Sequence, residues 1–135
     1  MANLNSVLEI CLKDHSEALG VAMVDLQSGL LIAAAHNASY FTEAYLDTVA
    51  AAAVDMFRGK AVLTVEKALT ALRGVLVRDM IREAQITTAM TYHFMATSPA
   101  KPGALAVLIT TRRVEVMAGW TAVRSILAAA APFCP

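Results

Sequence analysis

The sequence predicts an α+β fold, a five-stranded antiparallel sheet sandwiched between helices, in the order helix, strand, strand, helix, strand, strand, strand, helix. Three observations carry that reading. Apolar residues recur at three- and four-residue spacings near both ends and in the middle of the chain, which marks amphipathic helices. Two stretches, GVAMVDLQSGLLIAAA at 20–35 and ALAVLITT at 104–111, are apolar almost throughout, as strands covered on both faces are. Turn residues punctuate the apolar runs at intervals that suit hairpins.

The first helix shows Leu4, Val7, Leu8, Cys11 and Leu12 on one face and is expected to run to about residue 17. Gly20–Leu26 is too short for a helix and reads as a strand. Gln27-Ser28-Gly29 turns it, with a glycine free to take positive φ, and Leu30–Ala35 returns as its hairpin partner. The second helix covers 42–58, with Thr42 as N-cap and Leu46, Val49, Ala50, Ala53, Val54 and Phe57 facing the sheet. Arg58-Gly59 ends it. Val65, Ala68, Leu69 and Leu72 mark a shorter helix closed by Arg73-Gly74. Strands follow at Ile81–Thr88, Thr91–Ser98 and Leu105–Thr111, split by a tight turn near Ala89-Met90 and by the rigid loop Pro99–Gly103. The first of these three alternates polar and apolar residues like an edge strand, and the last is apolar like a central one. Val116, Trp120, Val123 and Leu127 carry the final helix, which stops before Pro132.

Composition narrows the function classes. One domain over residues 1–135 is expected, long enough to bury roughly two-thirds of the surface its unfolded chain exposes. Lysine plus arginine and aspartate plus glutamate both count 11, and no basic run exceeds Arg112-Arg113, so nucleic acid is not an expected partner. A hydrophobic fraction of 58% and a mean hydropathy of +0.58 raise the question of a membrane. The longest uncharged stretches, 26–42 and 84–100, are interrupted by Gln27, Ser28, His36, Asn37, Gln85 and His93, and neither offers the ~20 continuous apolar residues of a spanning helix. The start MANLNSVLEICLKDH lacks the basic opening and small-residue cleavage site of a signal peptide. With only Cys11 and Cys134, too few for a disulfide framework, a cytoplasmic setting is expected.

The surplus of apolar residues then needs a home, and a homodimer supplies one. The second helix offers a place for it. Tyr45, Thr48, Ala52 and Met56 form another stripe, on a side where charges would stand if water were the only neighbour. Either the 60–79 segment folds over that stripe or a second copy packs on it; small residues favour close helix approach.

The element order, GVAMVDLQSGLLIAAA, the alanine-rich second helix and ALAVLITTRRVEVMAGW together resemble the Roadblock family, related to a dynein light chain and to bacterial and archaeal regulators of small Ras-like GTPases. Asp25, Gly29 and Gly119 are the matching positions, and the likeness covers nearly the whole chain. It implies a profilin-like sandwich with the second helix on one face of the sheet and the first and last helices on the other. It also implies a homodimer joined through the third strand, at Gln85, Ile86 and Thr87, and through antiparallel second helices at Tyr45, Thr48, Ala52 and Met56. The platform so formed would contact a small GTPase or another regulatory protein. The 59–79 connection is longer than the family's usual link.

No enzyme constellation is present: the sequence has no Gly-x-Ser-x-Gly elbow, phosphate-binding loop or dinucleotide fingerprint. No catalytic residue, cofactor or metal is therefore expected. His15, His36 and His93 lack metal-ligand spacing, and His93 is expected against Tyr92 or Phe94. Cys11 reads as a small core residue, Cys134 as a thiol that could be exposed, Trp120 as core and Arg112-Arg113 as a solvated helix start. The rival reading is a small-molecule sensor of profilin-like or PAS-like architecture, which would need an interior cavity with convergent polar groups such as Asp25, Tyr92 and His93.

Overall fold

A computed structural model describes residues 3–135. Met1 and Ala2, the first residues of the stretch read for a signal peptide, lie outside them. The elements are α1 (Leu4–Asp14), β1 (Ala18–Asp25), β2 (Leu30–His36), α2 (Glu43–Arg58), α3 (Lys60–Arg73), β3 (Glu83–Thr87), β4 (Thr91–Thr97), β5 (Ala104–Thr111) and α4 (Val116–Ala130), with a 3₁₀ turn at Ala131–Phe133. The strands lie in the order β2-β1-β5-β4-β3, every pair antiparallel.

β5 is central, as its apolar run predicts, and Ala104 to Thr110 are all buried. One face of the sheet is covered by α1 and α4, through Leu8, Val123, Ile126, Leu127 and Ala130. α2 covers the other with Leu46, Ala50, Ala53 and Phe57. The stretch Val116–Phe133 has the length and hydropathy of a spanning helix, at 18 residues and 1.3, yet its apolar side packs on the sheet inside this sandwich.

Local chemistry sets the boundaries. Asn3 and Ser6 cap α1 reciprocally, side chain to backbone N–H in both directions. The helix stops at Asp14, earlier than the expected residue 17, because the His15 carbonyl accepts the N–H of Ala18 in a turn at 3.0 Å. β1 accordingly starts at Ala18, where the Asn37 side chain donates to the Ala18 carbonyl. At the β1–β2 turn Gly29 takes φ +77, and the Asp25 carboxylate accepts from the Gln27 N–H and the Ser28 hydroxyl. Gly119 has a different reason: a Cβ there would run into the Phe94 ring, so only glycine lets α4 approach β4 this closely.

The 59–79 connection holds the main departure from expectation. α3 is a full helix starting directly after Gly59, not a short piece around Val65–Leu72. Residues 75–82 then run back beside it to β3. That return is tied down by the Thr70 hydroxyl, which accepts from the Val77 N–H, and by the Glu66 carboxylate, which accepts from the Met80 N–H at 3.0 Å. β3 begins at Glu83, later than the expected Ile81, although the Arg82 carbonyl already accepts the Thr97 N–H of β4 at 2.9 Å.

Candidate interaction surface

β3 is an edge strand, as its alternation predicts: among the described residues it pairs with β4 alone, leaving a row of backbone groups open along its outer side. α2 covers one face of the same sheet, and its helical period divides it into three sides. Leu46, Ala50, Ala53 and Phe57 are buried against the sheet; Glu43, Asp47 and Asp55 are exposed; the remaining side carries Tyr45, Thr48, Ala52 and Met56. Thr48 and Ala52 are exposed, whereas Tyr45 and Met56 are half-buried at the rim of the core. The 60–79 segment therefore does not fold over this stripe.

The stripe asks little of water. The Thr48 hydroxyl donates to the Ala44 carbonyl one turn back, and Tyr45 stacks on Phe41 with centroids 5.1 Å apart. Burial, then the neighbouring Tyr40, pushes the Tyr45 hydroxyl pKa up, so the ring stays neutral.

The seven residues expected at the interface are not all on one face. Strand alternation sends Ala84 and Ile86 to the α2 side, where both pack on its core. Gln85 belongs to the α4 side: the Trp120 Nε1–H donates to its Oε1 at 3.1 Å. Glu83 points the same way and pairs with Arg124 at 3.2 Å, while the Arg124 guanidinium lies 5.5 Å over the Trp120 ring. Thr87 is exposed at the end of the strand. Ile86 thus packs on the same core cluster as Tyr45 and Met56, and Gln85 joins a Trp120–Arg124–Glu83 rim that sequence reasoning missed. These contacts span 35 and 41 residues, and no local spacing signals them.

Two side chains differ from expectation. His93 shares a face with Met95 on the α2 side, not with Tyr92 and Phe94, which tilt together on the other. Ile86 and Ile109 are its cross-strand partners, its Nε2 lies 3.2 Å from the Thr91 hydroxyl, and burial lowers its pKa. Cys134 is buried rather than exposed, because the 3₁₀ turn folds it back and its thiol donates to the Ala130 carbonyl. Lys101 locks that turn, its Nζ donating to the carbonyls of Ala131 and Cys134. Arg112 and Arg113 are exposed as read, with Arg112 5.4 Å over the Tyr92 ring.

The polar groups that the sensor reading needs do not converge on a hollow. A hollow of about 540 Å³, in the range of ligand pockets, opens between the β4–β5 loop and α4, lined by Ala96, Pro99, Leu127 and Ala131, and one of about 210 Å³ lies between β5, the end of α1 and the start of α4, but neither is lined by Asp25, Tyr92 or His93. Asp25 is occupied in its turn, and Tyr92 and His93 point to opposite faces of the sheet.

No family profile matches the chain, and no curated protein matches it. Solved structures do. A Roadblock/LC7 domain from Streptomyces avermitilis superposes with a TM-score of 0.70 at 12% identity, over 98% of both chains. The chain has the Roadblock/LC7 fold. The gliding protein MglB from Thermus thermophilus superposes at 0.68 with 18% identity, over 96% of this chain and 87% of its own. Myxococcus xanthus MglB gives 0.62 at 18% identity, over 96% and 83%. Within this Roadblock/LC7 fold, Asp25 and Gly29 build the β1–β2 turn and Gly119 the α4–β4 contact, the three positions on which the sequence likeness rests.

Proposed function

We propose that the chain acts without catalysis, as a cytoplasmic homodimeric Roadblock-like platform that regulates or scaffolds a small Ras-like GTPase. One observation carries this: the molecule has both an open outer edge at β3 and a stripe of α2, Tyr45, Thr48, Ala52 and Met56, that is free of charge and partly exposed. An edge that pairs with its own symmetry mate satisfies both rows of backbone groups at once, and two-fold pairing requires such a self-complementary patch. Exposed Thr48 and Ala52 would let the two α2 helices approach closely, with Tyr45, Met56 and Ile86 closing the sides. Gln85 and Thr87 would then lie on the opposite face of the continuous sheet.

The GTPase reading rests on the family resemblance and on the absence of any catalytic constellation in the sequence. Binding would act by holding one conformation of the partner. The test is titration of purified chain into a small Ras-like GTPase in its two nucleotide states, following binding and hydrolysis. The reading expects state-dependent binding that Ala52→Glu abolishes; equal or absent binding to both states contradicts it.

A further inference from the structure

Residues 60–82, α3 and its return to β3, have no role in that platform, yet their surface is unlike the rest of the molecule. The chain as a whole has zero net charge. Here Lys60, Lys67, Arg73, Arg78 and Arg82 are all exposed, whereas Glu66 is buried and Asp79 is held by Arg58 at 3.0 Å. Every exposed charge in the segment is a cation. Large apolar side chains stand out among them: Leu63, Val65, Leu72, Val75 and Leu76 are exposed, Leu72 at 82% and Leu76 at 72%.

The helix is turned inside out. Ala61, Val65, Ala68 and Leu72 recur at four-, three- and four-residue intervals, so they share one stripe, and all four are exposed. The carboxylate of Glu66 points the other way, inward, to the Met80 N–H. In water this arrangement exposes apolar surface and buries an acid; it suits a helix whose outer neighbour is apolar.

We propose that residues 60–82 dock the protein on an anionic lipid surface. Leu72, Val75 and Leu76 would sink to the level of the headgroups and upper acyl chains, and the five cations would meet lipid phosphates and carboxylates. Charge selects this occupant. A second copy of the segment would set cations against cations. A protein groove would have to be both apolar and acidic, whereas an anionic leaflet offers both to any exposed helix face laid on it.

The test is flotation of the full chain with vesicles of phosphatidylcholine alone and of phosphatidylcholine mixed with phosphatidylserine, at low and high salt. Binding is expected only to the mixed vesicles and is expected to fall with salt. Replacing Lys60, Lys67 and Arg73 together by glutamine should weaken it about a hundredfold, since each cation near such a surface contributes on the order of 1 kcal/mol. Leu72→Gln with Leu76→Gln should weaken it about tenfold or more. Both replacements are at exposed positions, and circular dichroism checks that the fold is kept. Equal binding to both vesicles, no binding to either, or binding untouched by both sets of substitutions overturns the proposal. So does a lipid-free mass that drops in the leucine variant, which would make a second copy the occupant, or binding to polyglutamate without binding to vesicles.

Discussion

α2 and α3 follow one another across a single glycine, and both carry an apolar stripe at helical spacing, but they use it in opposite senses. α2 turns its stripe inward and stops all six apolar positions predicted for the sheet from reaching full exposure; Phe57 and Ala53 are wholly buried. α3 turns Val65 and Leu72 outward and its one acid, Glu66, inward. The difference teaches that periodicity reports a face and not what covers it. Mean hydrophobic spacing is the same kind of signal in both helices; only the location of the sheet separates them.

That contrast can be broken by substitution. Phe57→Ala should cost about 3–5 kcal/mol in urea unfolding, the cost of emptying a packed aromatic site, because Phe57 has no exposure at all. Next comes Glu66→Ala, which strands the half-buried Met80 N–H and should cost about 1–3 kcal/mol; Glu66→Gln keeps an acceptor oxygen and should recover most of it. Thr42→Ala removes the hydroxyl that accepts the Tyr45 N–H at the start of α2 and should cost about 1 kcal/mol. Leu72→Ala should change stability by no more than about 0.5 kcal/mol, despite sitting on a stripe as regular as that of Phe57. A large loss at Leu72 would mean that α3 is covered after all.

Acidification sharpens the comparison from the α2 side. Burial holds the His93 pKa below the ordinary 6.5, so the folded state prefers the neutral ring. A depressed pKa of this kind contributes its full stability above the unfolded value and loses it as pH falls through the folded one. Stability should therefore decline as pH drops below 6.5, and His93→Gln should flatten that decline. An unchanged slope in the variant would place the acid sensitivity elsewhere.

The sandwich was legible because its signals are local. The unbroken apolar run of β5 required cover on both faces, the alternation in β3 required an edge, and Gly29 required a turn. The face of α2 toward the sheet was legible for the same reason. What escaped was anything fixed by partners distant in sequence. Adjacency to Tyr92 and Phe94 does not place His93, because strand register decides which face it shares. Gln85 looked like part of an edge, and only the approach of α4 makes it the acceptor for Trp120. Cys134 looked terminal and open, but Lys101 folds the final turn over it. The stripe of α3 was legible through Val65, Ala68 and Leu72, but its outward direction was not, since a helix spacing looks the same whether its neighbour is a sheet or solvent.

The account rests on the α2 stripe and the β3 edge meeting their copies, and the molar mass in solution tests this most directly. Light scattering behind size-exclusion chromatography at micromolar concentration should give twice the 14.3 kDa chain mass, falling to one chain for Ala52→Glu with the fold intact. A wild-type mass of one chain, or a dimer indifferent to Ala52→Glu, would contradict it.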